Sequence, residues 1–169
     1  GTPYADPGTL AWALADAADD AGIGLTLMPA LYERAGFTQA SLHDDQRRFA
    51  TSADSVWSAA QAIAASRRPR VNAGLVIHSL RAAAGDSITR LCRLADGFGG
   101  PIHIHVAEQT AEVDACLAAT GARPIAWLAR DFNRLAVTLG EARNARQQWI
   151  AGIAHELRTP LAVLRGEIE

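Results

Sequence analysis

The sequence contains no lysine, so all sixteen of its basic residues are arginine. We attribute this to the codon usage of a GC-rich genome and base no mechanism on it. Eighteen acidic residues leave a net charge of -2. A charge this small does not indicate a polyanion partner, and we expect no nucleic-acid binding. Hydrophobic residues make up 49% of the chain, which excludes a disordered composition and predicts a folded core.

Long apolar runs are also missing. No run reaches the roughly 20 residues that a helix needs to cross a bilayer, and no signal peptide is recognisable. We therefore expect no membrane segment in this chain and a cytoplasmic location. Cysteine is scarce, and Cys92 and Cys116 both lie in predicted helices. Buried free thiols are favoured, with a disulfide as the alternative. The start at Gly1 rather than Met indicates a fragment or a processed chain.

Residues 1–128 alternate between helix and strand patterns. Asp6 is expected to cap the first helix and Gly22 to end it. Nearly all-apolar strands between amphipathic helices are typical of a parallel sheet that is buried on both faces. Either an open doubly wound sheet or part of a (β/α)8 barrel, with three to four βα units, fits this order. The predicted strands are 23–29, 70–79 and 101–107; the predicted helices are 6–22, 53–67, 86–97 and 109–120; residues 30–52 are a long loop.

The strand "PIHIHVA" carries two histidines that are two residues apart. His103 and His105 therefore face the same side of the sheet, and His105 lies nearer the end where parallel α/β folds place their chemistry. Glu108 follows at the turn, and His78 and Arg81 end the preceding strand. An imidazole next to a carboxylate suits a metal and its bound water, and arginine suits a substrate carboxylate. The alternative is a pair of core histidines with surface charges.

The segments "GTPYADP", "AGIGLTLMPALYERAGF", "IHSLRA" and "PIHIHVAEQTAEVDACLAATGARPIAWL" resemble the middle of N-formimino-L-glutamate deiminases. These are zinc-dependent (β/α)8-barrel enzymes of the amidohydrolase superfamily that act in histidine degradation. The resemblance implies that His105 is a metal ligand and Glu108 the catalytic proton shuttle. It also implies that Tyr4, His78 and Arg81 contact the substrate. In this family, water attacks the formimino carbon and ammonia leaves.

The family pattern requires further ligands that this sequence does not match. They are a His-x-His pair from the first barrel strand, a later histidine and a later aspartate. A zinc site needs three or four good ligands. We therefore expect zinc to bind weakly or not at all, and the deiminase chemistry to be absent or to require a complementing chain.

After residue 130 the apolar residues follow one another at intervals of mostly three and four, from Phe132 to Ile168. This spacing predicts one long amphipathic helix. The helix either docks on its own domain or forms the seam of a dimer. Pro160 should kink it, and His155 falls off the apolar stripe beside Glu156. An exposed imidazole next to a carboxylate is a candidate nucleophile.

The segment "RQQWIAGIAHELRTPLAVLRGEIE" resembles the dimerisation and phosphoacceptor helix of two-component sensor histidine kinases, and "ARDFNRLAVTL" resembles the end of a HAMP linker. The resemblance implies that His155 accepts a phosphoryl group, that Glu156 assists, and that Arg158 and Thr159 tune the activity. The sequence shows no glycine-rich nucleotide loop, so we expect no ATP site in this chain. The implied partners are a second copy and a kinase catalytic domain or response regulator acting in trans.

Together these patterns predict a chimera joined near residue 129. Residues 1–128 would be an incomplete deiminase-like barrel segment, and residues 129–169 a HAMP end with a phosphoacceptor helix. We expect a truncated fusion that is catalytically incomplete alone, with His155 as the best candidate functional group. The alternatives are a deiminase that is active only when complemented, and an inactive binding or structural protein.

Overall fold

The computed structural model describes residues 8–130. The chain divides into two units, 1–125 and 126–169. Of the second unit, residues 126–130 are described, and they are helical. The predicted C-terminal helix lies outside the described residues. No helix within 8–130 is long and apolar enough to cross a membrane.

Helices and strands alternate along the first unit, which confirms the predicted α/β order. A short 3-10 helix, Arg47–Phe49, lies in the long loop. The helices are α1 (Thr9–Ala21), α2 (Ala53–Ala65), α3 (Gly85–Leu94) and α4 (Thr110–Thr120); the strands are β1 (Leu25–Leu27), β2 (Ala30–Leu31), β3 (Val71–Ala73), β4 (Leu75–Ser79) and β5 (Ile102–His105).

All strand pairings within the described residues are parallel. β1 pairs with β3, β2 pairs with β4, and β4 pairs with β5. Two hydrogen bonds continue this pairing where β1 gives way to β2 and β3 to β4. The Gly74 amide donates to the Leu27 carbonyl (2.8 Å), and the Val76 amide donates to the Pro29 carbonyl (3.0 Å). The five short strands therefore act as three neighbouring parallel strands in chain order.

Along β1 to β4, one face of the sheet is covered by helices and the other is open, whereas β5 has no buried residue. Alternate residues such as Val71 and Ala73 are buried, whereas Thr26 and Asn72 between them are exposed. The prediction of a sheet buried on both faces is therefore wrong for the described residues. Strands in chain order with helices on a single face fit part of a closed barrel, because a doubly wound sheet reverses its strand order and is covered on both faces. One cluster of the core consists of Ala15, Leu27, Ile63, Val71 and Ala73, with Trp12 and Phe98 against it. Leu31, Leu75, Ile77 and Leu80 are also fully buried.

Most helix ends follow the sequence signals. Gly22 and Gly121 take left-handed conformations, with φ of 70° and 71°, and close α1 and α4 as expected. α1, however, begins at Thr9 with Gly8 at the N-cap position, whereas the predicted cap Asp6 lies outside the described residues. α2 begins with a capping box, in which the side chains of Ser52 and Ser55 bond reciprocally to each other's backbone amides.

Two further expectations concern the loop and the cysteines. The loop expected over residues 30–52 is shorter, because Ala30–Leu31 form β2 and pair with β4. Cys92 and Cys116 are both free, as predicted. Cys116 is fully buried, whereas Cys92 is half-buried.

Candidate functional site

The ends of β4 and β5 place two histidines side by side. The rings of His78 and His105 lie with centroids 5.5 Å apart and planes at 80°. A register shift between Ile77 and Ser79 leaves His78 as an extra residue on β4, since Ser79 rather than His78 pairs with His105. Such bulges re-aim side chains at the ends of strands.

The backbone fixes the orientation of His105. Its Nδ1 lies 2.8 Å from the carbonyl oxygen of His78. A carbonyl only accepts, so Nδ1 carries the proton and Nε2 keeps a free lone pair. Metal-binding histidines are typically held in this way by a carbonyl or carboxylate. His105 itself is exposed.

His78 is half-buried, and its surroundings disfavour the protonated ring. Burial lowers its pKa from the ordinary value of 6.5, and repulsion from His105, when both rings are protonated, and from Arg81 lowers it further. Glu108 and Glu112 act in the opposite direction. The structure thus brings Arg81, His105 and Glu108 within electrostatic range of His78. The predicted substrate contact Tyr4 lies outside the described residues.

Tyr32 covers one side of His78. Its ring meets the His78 ring edge-on, with centroids 4.7 Å apart. The hydroxyl of Tyr32 accepts a hydrogen bond from Gln46 at 2.9 Å, and its backbone amide donates to Thr51 at 2.7 Å. Phe49 adds a second edge-on contact at 6.3 Å. The sequence indicates only that Tyr32 lies in a long loop, because its spacing from His78 carries no signal.

Glu112, which no sequence motif singled out, holds the backbone of Glu108. Its Oε2 accepts a hydrogen bond from the Glu108 amide at 3.0 Å. Glu112 is 5% exposed, and its buried Oε1 has no hydrogen-bond partner among residues 8–130. Ala107, next to Glu108, has φ of 57°, an uncommon conformation for alanine. The available signal was a glutamate at the third helical position of α4, where side chains commonly reach back to a preceding amide.

The described residues do not fit a complete zinc shell. Within 8–130, no group of three or more His, Cys, Asp or Glu side chains is arranged to hold a metal ion. His105 offers one free imidazole nitrogen, and the ring of His78 lies beside it, with centroids 5.5 Å apart. His103 is exposed on β5 and pairs with Val76 rather than with either histidine. No reaction step through a metal follows from this arrangement.

The amidohydrolase likeness covers most of the chain. Formimidoylglutamate deiminase of Pseudomonas aeruginosa is 42% identical over 130 residues, which are 76% of this chain and 28% of the relative. The crystal structure of an amidohydrolase from Brucella melitensis matches with a TM-score of 0.68 and 36% identity, over 77% of this chain and 29% of that one. A zinc-bound adenosine deaminase structure from Xanthomonas campestris, 23% identical, matches in fold with a TM-score of 0.54, over 69% of this chain and 25% of that one.

The C-terminal part matches a different class of protein. Residues 145–169 match the His Kinase A (phospho-acceptor) domain. The signal transduction histidine-protein kinase BaeS of Escherichia coli is 62% identical over 42 residues, which are 25% of this chain and 9% of the relative. The chain thus spans less than a third of the curated relatives it matches. Both predicted resemblances are confirmed: the chain joins a segment similar to amidohydrolase barrels to a segment similar to the phosphoacceptor domain of sensor histidine kinases.

Proposed function

We propose that this chain is a truncated fusion in which the functional group is the phosphoacceptor His155. The match of the phosphoacceptor domain to residues 145–169 carries the proposal, because this range contains "HELRTP" whole. An imidazole nitrogen of His155 would attack the γ-phosphorus of ATP held by a separate kinase catalytic domain. The P–N bond forms as the bond to the ADP oxygen breaks, and Glu156 accepts the imidazole proton. The domain boundary near residue 129 is part of this proposal.

Phosphotransfer in trans tests it. The purified chain is mixed with labelled ATP and the catalytic domain of a closely related sensor kinase. We expect an acid-labile label at low efficiency, since poorly positioned reactants lose much of the rate gained by proximity. The label should be absent in His155→Gln and unchanged in the control His43→Gln. Labelling without the added kinase domain, or labelling of His155→Gln, would refute the proposal.

We further propose that two copies associate through residues 129–169, since the phosphoacceptor domain implies a dimer and a kinase or regulator partner. The apolar stripe from Phe132 to Ile168 supports this association. Sedimentation at high micromolar concentration should show a dimer or larger species. A clean monomer would count against it.

A second proposal concerns the amidohydrolase-like segment. We infer that it keeps an oriented remnant of a deiminase metal site, with His105 as the ligand and Glu108 as the proton shuttle. His78 and Arg81, with Tyr4, would contact a formiminoglutamate-like substrate. The support is the bond that fixes the His105 tautomer and leaves Nε2 free. Turnover would require the missing ligands from a complementing chain.

Zinc binding tests the remnant site. Because one or two imidazoles are an incomplete shell, zinc should be lost on dialysis against a mild chelator. Weak binding by calorimetry should disappear in His105→Ala and persist in the control His43→Ala. Near-stoichiometric zinc that survives dialysis would show instead that the site is complete.

A further inference from the structure

Arg34 binds the backbone of the segment that follows β4. Its Nη2 donates to the carbonyl of Leu80 at 2.7 Å, and its Nε donates to the carbonyl of Arg81 at 3.1 Å. The backbone amides of Glu33 and Arg34 both donate to the carbonyl of Ala82, at 2.9 and 3.1 Å. Three successive carbonyls are thus held from one side by two residues that lie almost fifty positions earlier in the chain.

Glu33 holds the other end of the same segment. Its Oε1 accepts a hydrogen bond from the Ala84 amide at 2.6 Å. Ala84 is the N-cap residue of α3 and has no side chain that could cap the helix itself. Residues 80–84, which we call the 80–84 loop, are therefore fixed at both ends by Glu33 and Arg34.

The 80–84 loop carries Arg81, whose side chain is exposed. The loop itself is well buried at Leu80, Ala82 and Ala83. A guanidinium on a fixed backbone needs less ordering when it binds an anion than one on a mobile loop. The carbonyl that Arg34 holds belongs to Arg81 itself, so the bond restrains the point from which that guanidinium projects.

Arginine can bind two neighbouring carbonyls at once, and lysine cannot. The planar guanidinium of Arg34 reaches two neighbouring carbonyls at once through Nε and Nη2, whereas an ammonium is a single point charge. The ring of Phe37 lies 5.6 Å from the Arg34 guanidinium and supports it from another side. Substitution by lysine therefore keeps the charge and loses the two-carbonyl contact.

We propose that Arg34 is a positioning residue that holds Arg81 ready for a carboxylate-bearing ligand. The inference rests on the substrate role proposed above for Arg81. Arg34 does not touch the ligand; it acts through the main chain of the 80–84 loop. Loss of this contact should therefore lower the affinity for carboxylates even when the substitution keeps the positive charge at position 34.

Titration with glutarate, a dicarboxylate without a reactive group, tests this by NMR shifts of the 80–84 loop. We expect Arg81→Gln to weaken binding at least tenfold, and Arg34→Gln and Arg34→Lys to weaken it by roughly three- to tenfold each. Arg47→Gln is the matched control, since Arg47 lies in the same long loop and pairs with exposed Asp44 at 3.1 Å. It should change the dissociation constant less than about twofold.

Ser52→Ala is the control for an effect of lost stability alone, because it removes the capping box of α2 and does not alter the 80–84 loop. The inference is overturned if Ser52→Ala weakens glutarate binding as much as Arg34→Gln does. It is equally overturned if Arg34→Lys binds glutarate like the unmodified chain. If Arg81→Gln and the unmodified chain bind glutarate equally, or neither binds, the substrate role of Arg81 fails first and the inference falls with it.

Discussion

Gly74 lies where three strands meet, and replacing it by alanine should destabilise the sheet. A Cβ at this position would lie 2.9 Å from the Pro101 carbonyl oxygen and 3.0 Å from Cγ of Met28. Met28 is flexible and can move aside. The Pro101 oxygen cannot move freely, because it accepts the Leu75 amide at 2.9 Å and so sets the register of β4 against β5.

The expected cost follows from overpacking a buried position. Forcing an extra methyl group into a packed interior typically costs about 1–3 kcal/mol. For a chain of this size, that corresponds to a decrease of roughly 3–10 °C in the midpoint of thermal unfolding. Because β5 would shift, the bond between His105 and the His78 carbonyl should also lengthen, which the ring-nitrogen NMR signals of His105 report.

The assay is urea unfolding followed by circular dichroism. Gly24→Ala is the matched control, since a Cβ at Gly24 meets nothing within 4 Å. Its free energy of unfolding should stay within about 0.5 kcal/mol of the unmodified value. Equal unfolding midpoints for Gly74→Ala and Gly24→Ala would refute the close approach of Pro101.

Two further predictions concern titration. Burial lowers the pKa of His78 in the folded chain below its unfolded value near 6.5, and His105 and Arg81 lower it further. The contribution of the unprotonated ring to stability is therefore complete above about pH 6.5 and is lost as the pH falls through the folded pKa. His78→Gln should flatten the fall in unfolding free energy between about pH 7 and pH 5; an unchanged slope contradicts this. Burial raises the pKa of Cys92 from 9.0 to about 11. Alkylation of Cys92 at pH 8 should therefore be roughly 100-fold slower than in urea, by peptide mass spectrometry, and rapid native labelling would contradict it.

The fold was predictable because its signals are local. Gly22 and Gly121 mark helix ends through backbone freedom alone, and apolar segments mark the strands wherever helices cover them. The open face was predicted wrongly because Thr26 and Asn72 alternate with apolar neighbours over only three residues each, which is too short to establish a period. β2 was missed because two residues after Pro29 are too short to show a period.

In the candidate site, too, features set by neighbouring residues were predictable, and features set by residues distant in the sequence were not. The positions of His105 and Glu108 at the end of one strand follow from their spacing. Their orientation does not, because it depends on a register shift that leaves His78 unpaired on β4 and turns its carbonyl towards Nδ1 of His105. Glu33 and Arg34 act on a loop almost fifty residues away. A site whose residues come from several strands therefore loses residues when a fusion joint falls within the fold. A motif of six consecutive residues, such as "HELRTP", can pass intact from one protein to another.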